Sequence, residues 1–271
     1  MLARIRSFRL PKAGNTVEEY EDACWPTADG TAVDLRGSPL RVAVADGATE
    51  TSFSRLWAEL LVEAYGTYRL NPDDRLADLG DLRRQWREQV EERIKDKSWA
   101  VVEKARQGAF AALAGLTVYQ TPSGEVYWHA AAAGDSCVIL CAEGRLLRCF
   151  PLARSEEFDN RPALLSSSRA GAPEPGRDVT RSDSGILRAP CTFYLLTDAL
   201  ACWFLRFHED ARDPASILDA LGDSQQFEQF VQAQRQAAGA WGGPALKNDD
   251  VTLLRVEIPK PEGGDGLAVE Q

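Results

Sequence analysis

The chain has 271 residues, with 31 Lys plus Arg against 41 Asp plus Glu, and so a formal net charge of −10. Its 44% hydrophobic and 27% charged residues are the proportions of a globular protein, and the acidic balance lacks the basic footprint of a nucleic-acid-binding domain. No apolar run approaches the ~20 residues that a membrane-spanning helix needs, and the Arg-interrupted stretch Met1–Leu10 has no secretory apolar region.

The six Cys (24, 137, 141, 149, 191, 202) form no CxxC pair. They read as buried thiols of a reducing compartment, not as a disulfide framework or a zinc site. The two His, His129 and His208, leave little material for a His-based metal site or a Ser–His–Asp triad. Chemistry is therefore expected to rest on carboxylates, in a cytoplasmic protein with no nucleic-acid or membrane partner.

In chain order, residues 3–10 alternate polar and apolar side chains and predict a first strand. Pro11–Glu19 reads as a loop, followed by a short strand at Ala23–Trp25, a turn at Ala28-Asp29-Gly30 and an extended Thr31–Leu35. Leu40–Ala45 (LRVAVA) is an apolar, β-branched strand that stops at Asp46-Gly47. Phe53, Leu56, Trp57, Leu60, Leu61 and Ala64 then make one helical stripe, with Thr51 or Ser52 as N-cap. Two more helices follow, one from Leu82 to Ile94 and one capped by Ser98 that carries Trp99, Val102 and Ala105.

Ala109–Tyr119, Glu125–Ala132, Ser136–Cys141 and Arg145–Phe150 predict an antiparallel meander on short turns. Ala153–Ala189 has a loop composition. Cys191–Thr197 is an apolar strand ending at Asp198, with helices expected over Ala199–Phe207 and Pro214–Ala237, a last strand at Val251–Ile258, and a disordered acidic tail over 259–271. Strands before and after a helical block, without βαβ alternation, indicate an α+β fold of antiparallel sheets with helices on their outer faces.

The informative pattern is Asp at strand ends: Asp46, Asp198 and Asp249, with Asp135 in a tight turn and Glu21-Asp22 leading into a strand. Each alone is ordinary turn chemistry. Converging, they would repel unless a cation neutralised them, and an all-oxygen donor set suits Mg²⁺ or Mn²⁺.

Val44-Ala45-Asp46-Gly47-Ala48 resembles the VADG box of the metal-dependent (type 2C) Ser/Thr protein phosphatases. Tyr20-Glu21-Asp22-Ala23 resembles their NEDA box, Trp128-His129 through Gly134-Asp135-Ser136 their WHVANVGDSR, Leu195-Leu196-Thr197-Asp198-Ala199-Leu200 their LLTDGL, and Asn248-Asp249-Asp250-Val251-Thr252 their DNIT. The boxes stand in the family's order and cover residues 4–258, and the compact chain is similar to the bacterial-type members.

The resemblance implies a four-layer α-β-β-α sandwich over 1–258. It implies two Mn²⁺ or Mg²⁺ ions, with Asp46 bridging them, the Gly47 carbonyl on one, Asp198 and Asp249 on the first, and Glu21 and Asp22 orienting water on the other. Asp135 would help hold the third, weaker ion that some members use. The implied reaction is hydrolysis of phosphoserine or phosphothreonine by direct attack of a metal-bridging hydroxide, with a phosphoprotein as substrate and a cognate Ser/Thr kinase as partner in signalling. Asp46, Asp198 and Asp249 would carry catalysis.

The sequence departs from the family pattern in places. Val17 stands where the family has its phosphate-binding Arg, with Glu18 and Glu19 beside it, so Lys12, Arg9 or Arg6 would have to supply the charge, Lys12 being the first choice. Asp249-Asp250 replaces Asp-Asn, Ala199 replaces a Gly, Ala48 stands at the His proposed as general acid in eukaryotic members, and Gly108-Ala109 replaces Gly-Thr. Two other readings share the scaffold: a catalytically weak pseudophosphatase that binds a signalling partner, and a phosphatase of small phosphoesters.

The remaining features read as structural. His129 is a packed strand residue, His208-Glu209-Asp210 a helix end, and Cys137 and Cys141 share one core-facing side of a strand. Ser182-Asp183-Ser184-Gly185 lacks the spacing of a nucleophile elbow. The long Ala153–Ala189 segment falls where the family carries a variable flap, which gives it a candidate part in substrate selection.

Overall fold

The computed structural model describes residues 2–35, 38–48, 53–70, 79–158, 162–168, 180–187, 190–239 and 242–259. In chain order its strands are β1 (Leu2–Leu10), β2 (Ala23–Trp25), β3 (Asp29–Asp34), β4 (Leu40–Gly47), β5 (Phe110–Gln120), β6 (Val126–Ala133), β7 (Cys137–Ala142), β8 (Arg145–Phe150), β9 (Leu165–Ser166), β10 (Thr180–Leu187), β11 (Cys191–Leu196) and β12 (Val251–Ile258). Its helices are α1 (Ser54–Gly66), α2 (Gly80–Ile94), α3 (Trp99–Arg106), α4 (Asp198–Glu209), α5 (Pro214–Asp219) and α6 (Ser224–Gln236).

Two antiparallel sheets, in the order β3-β1-β12-β11-β7-β8 and β10-β6-β5-β4-β2 with β9 on the end of β5, form the middle of the molecule. The strand period of two divides each strand between two layers. Val42, Val44, Leu116, Val118, Phe193, Leu195, Leu254 and Val256 point inward and make the core between the sheets. The alternate residues of the second sheet pack under α1 and α2 through Trp57, Leu61, Tyr65 and Trp86. Those of the first sheet pack under α4, α5 and α6 through Trp203, Phe204, Leu218 and Phe227. The result is the α-β-β-α sandwich expected from the sequence.

Several local expectations change. β6 and β7 are not neighbours: β6 pairs with β5 and β10, whereas β7 pairs with β11 and β8. Both edges of β6 are taken, so the chain crosses from one sheet to the other at Gly134-Asp135, where Gly134 has φ +89°. The segment read as loop contains β10, whose polar residues suit the edge that it forms. The single helix expected over Pro214–Ala237 is two, because Asp223 caps α6 by accepting the N–H of Gln226. Asp29 and Gly30 belong to β3, not to a turn. Residue Phe53, in the left-handed region, precedes α1, and Thr51 and Ser52 lie outside the described residues. Trp99 of α3 is 76% exposed. The tail from residue 260 also lies outside the described residues. No helix among those described is long and apolar enough to cross a membrane, and all six cysteines are free thiols.

Candidate metal centre

The inward parity that places Val42 and Val44 in the core between the sheets continues to Asp46, and that of Leu254 and Val256 continues back to Thr252 and Asp250. Strands β4 and β12 belong to different sheets, so their ends bring Asp46, Thr252 and Asp250 to one rim of the sandwich. β11 ends at the same rim, where Thr197 is fully buried and Asp198 opens α4. The crossing from β6 to β7 adds Asp135, which is also buried.

Asp22 is the most enclosed carboxylate, at 3% exposure. The hydroxyls of Thr197 and Thr252 donate to its Oδ2 at 2.9 and 2.8 Å, and the Tyr20 hydroxyl bonds Thr252 in turn. Burial, then the negative charge of Asp250, push the Asp22 carboxyl well above the usual range, despite the two hydroxyls. Asp46 is raised in the same way, by burial and then by Asp198, Asp22 and Asp135. Asp198 is thus the negative charge with the largest effect on Asp46, making it harder to ionise. Burial also raises Asp198, partly offset by Lys247.

Glu21 accepts the hydroxyl of Ser54, the first residue of α1. Gly47 is buried against this pair: a Cβ there would lie 2.6 Å from the Glu21 carbonyl oxygen. Asp249 stands at the outer edge, 27% exposed, with its Oδ2 2.7 Å from the ammonium of Lys247, which also lies 3.5 Å from Asp198. Asp250, beside it, has a structural task. Its two oxygens accept the main-chain N–H groups of Lys12 and Glu21, at 2.8 and 2.7 Å. An Asn here would turn an NH₂ toward one of two N–H donors, which accounts for Asp at this position.

Cations surround the acidic rim. The guanidinium of Arg235 on α6 donates to the carbonyls of Pro11 and Asp249. Arg55 on α1 donates to the carbonyl of Val17, at 3.1 Å. The backbone of Lys12 is one hydrogen bond from Asp250, whereas Arg9 is exposed on β1 opposite Thr252.

Among the expected site residues, then, Asp22, Asp46, Asp135 and Asp198 act on one another, Glu21 and Gly47 adjoin them, and Asp249 lies at the edge with Lys247. Thr197, Thr252, Ser54, Arg235 and Lys247 are not singled out by the sequence, and Asp250 only as a departure from the Asp-Asn pair. Thr197 and Thr252 sit inside recognised boxes and could have been found there. Arg235 and Lys247 carry no local signal.

Among the described residues, no group of three or more His, Cys, Asp or Glu is drawn together closely enough to hold a metal as it stands. The chemistry of the donor set nevertheless fits a hard divalent cation. Buried carboxylates that raise one another's affinity for protons, with one lysine against the outermost two, are a cation-seeking, all-oxygen set. A cavity of about 980 Å³ opens at the other end of the sandwich, beside Leu2, Cys191 and Ile258, and has no residue in common with this cluster.

Neither the protein-family models nor the curated proteins give a match to the sequence. Solved structures do. The chain is similar to the Mycobacterium tuberculosis serine/threonine phosphatase PstP/Ppp, with TM-score 0.53 and 14% identity over 96% of this chain and 100% of that one. It is similar to the photosystem II phosphatase PBCP, with TM-score 0.50 and 14% identity over 94% and 98%. It is also similar to the S. agalactiae serine/threonine phosphatase, with TM-score 0.50 and 12% identity over 94% and 99%. The chain has the fold of these phosphatases, as the sequence boxes led one to expect.

Proposed function

We propose that this chain is a bacterial-type member of the metal-dependent protein phosphatases and hydrolyses phosphoserine or phosphothreonine on a protein substrate, with residues 1–258 as the catalytic unit. The observation that supports this most is the convergence of Asp22, Asp46, Asp135 and Asp198, from four separate chain segments, on one rim of that fold. Asp46 would lie between two Mn²⁺ or Mg²⁺ ions, with the Gly47 carbonyl beside it. Asp198 and Asp249 would face the first ion, Glu21 and Asp22 the second, and Asp135 a third, weaker site.

When bound, the cations supply the acidity that activates water and the positive charge that the phosphoryl transition state needs. The chain's own residues hold that arrangement. Thr197 and Thr252 fix the Asp22 carboxylate, and Ser54 fixes Glu21. Asp250 pins the backbone on both sides of the Lys12–Glu21 segment, and Lys12 is the residue assigned to the phosphate. The cognate kinase, the signalling context and a cytoplasmic site of action belong to the same reading.

The test is hydrolysis of p-nitrophenyl phosphate with Mn²⁺, with EDTA, and by Asp198→Asn. Turnover that needs Mn²⁺ and falls below a tenth in the variant supports the assignment. Turnover that persists in EDTA, or in Asp198→Asn, overturns it. Comparing phosphopeptides with small phosphoesters then separates the protein substrate from the metabolite. Val17, 67% exposed where the family pattern has Arg, favours a second reading as a weakly active module that binds a signalling partner. That reading prevails if the protein shows no turnover on any phosphoester and weak or absent Mn²⁺ binding.

A further inference from the structure

The cation already present at the outer edge of the site is a side chain. The Lys247 ammonium lies 2.7 Å from Asp249 Oδ2 and 3.5 Å from Asp198 Oδ2, the two carboxylates assigned above to the first divalent ion. We propose that Lys247 is a tethered counter-cation for this half of the site, and that a divalent ion binds between Asp198 and Asp249 only by displacing it. The inference rests on the phosphatase reading for the identity of the site, and it adds a rule for how the two halves fill.

The anchoring of the Lys247 backbone supports this role. Leu246, immediately before it, is fully buried, and its N–H donates to the carbonyl of Gln234 at 3.1 Å. Asn248, immediately after, makes two hydrogen bonds with the backbone of Ala13: its Oδ1 accepts at 2.7 Å and its Nδ2 donates at 3.3 Å. The Asp249 N–H returns to the Lys247 carbonyl at 3.0 Å. The main chain is therefore clamped on both sides, so the ammonium reaches Asp198 and Asp249 from a fixed base.

The side chain itself is free to leave. It is 61% exposed, against 19% for Asp198 and 27% for Asp249. A lysine stem can swing into water with its charge solvated. Asp22, by contrast, is held by two hydroxyls that cannot neutralise it. The two halves thus differ in kind: only the outer pair has a side-chain ammonium against it among the described residues.

Charge arithmetic gives the consequence. Two carboxylates with one ammonium carry −1, and with one divalent ion 0, so the ion is preferred once its concentration covers the cost of separating the lysine. That cost lowers the apparent affinity of the outer half by the fraction of time the lysine spends away from the pair. Among the described residues no ammonium has to be moved away from Asp22, whose hydrogen-bond partners are two hydroxyls. The outer ion is expected to be the weaker of the two, and occupancy there should track divalent-ion concentration.

The test is calorimetric titration of Mn²⁺ into the metal-stripped full chain, comparing wild type with Lys247→Met, Lys247→Gln and Lys247→Arg at one pH and ionic strength. Removing the ammonium should tighten the weaker Mn²⁺ site by roughly tenfold or more while the tighter site changes little. Lys247→Arg should keep the wild-type pattern. Using Met and Gln guards against one variant failing to fold. Mn²⁺ binding that is unchanged or weaker in the neutral variants overturns the inference and leaves the phosphatase reading standing. Absence of Mn²⁺ binding in every protein, wild type included, overturns both.

Discussion

The carboxylate of Asp250, at the head of β12, accepts the N–H of Glu21 at 2.7 Å. That bond joins one sheet to the chain entering β2 of the other, and the second oxygen takes the N–H of Lys12 at 2.8 Å. Asp250 thereby sets the height at which Glu21 and Asp22 meet Asp46. Asp250→Asn should cost about 1–3 kcal/mol, since one N–H loses its acceptor in a part-buried site. Urea unfolding of the metal-free protein measures it; a loss under about 0.5 kcal/mol would show that the contact is dispensable.

Gly47 has no room for a side chain. A Cβ would stand 2.6 Å from the Glu21 oxygen and 3.0 Å from the Ser54 backbone carbon, neither of which can rotate away. Gly47→Ala should destabilise by about 1–3 kcal/mol, and it should weaken Mn²⁺ binding by moving Glu21. A variant with wild-type melting temperature and wild-type Mn²⁺ affinity would contradict this.

Thr252 serves Asp22 through its hydroxyl, and its own N–H donates to Thr197 Oγ1 at 3.0 Å. Thr252→Val keeps the shape of the side chain but removes a donor from a buried carboxylate, at a cost of about 1–3 kcal/mol. Thr197→Val acts on the same oxygen, so the double variant should depart from additivity. A double-mutant cycle by chemical denaturation reads the coupling directly, and a coupling near zero would mean the two hydroxyls act independently.

Lys12→Ala tests the assigned phosphate contact. KM for p-nitrophenyl phosphate should rise roughly fivefold or more with kcat nearly unchanged, the signature of binding lost equally from ground and transition states. If KM stays at the wild-type value, Lys12 is excluded and Arg235, whose guanidinium already touches the backbone of Asp249, becomes the residue to vary.

Alkaline pH offers a check on the far end of the sandwich. Burial pushes the Cys141 and Cys191 thiols up to about 12. In the unfolded chain a thiol ionises near ~8.5. Between those values the native state keeps protons that the unfolded state releases, so this stabilisation is complete below the unfolded value and is lost as pH rises toward about 12. Denaturation midpoints should fall from pH 8 to pH 10.5, and less steeply in a Cys141→Ala, Cys191→Ala double variant. Equal slopes in the two proteins would remove the thiols as the cause.

The layers were legible because each core strand repeats with period two and each main helix carries one apolar stripe. The exceptions have physical causes. Gly134-Asp135 reads as a hairpin turn, but whether a turn pairs its flanking strands or passes between sheets depends on which strand edges are already taken, and that is not local information. In β10, Thr180–Leu187, the residues are polar because the strand lies at an edge, so its composition matches a loop. Asp223 could have marked the split between α5 and α6, with Gly222 just before it.

At the site, Asp46, Asp198 and Asp249 were visible as carboxylates closing or opening apolar strands, ordinary singly but a pattern when repeated. Thr197 and Thr252 lie inside the recognised boxes, but their hydrogen bonds to Asp22 are tertiary and carry no local signal. Lys247 was hidden because a lysine beside acidic residues normally means solvated surface, and only the tertiary path from Gln234 through Leu246 turns it inward.

The crossing at Gly134-Asp135 has a mechanical consequence. Asp46 is carried by one sheet, Thr252 and Asp250 by the other, and Asp135 by the strap between them. The spacing of the carboxylates is therefore a gauge of the distance between the sheets. Substitutions such as Val44→Ala or Leu254→Val, fully buried between the sheets, should alter ion affinity in a protein that is still folded, as a Mn²⁺ titration beside a melting curve would show. The packing between the sheets would then set the spacing of the acidic rim.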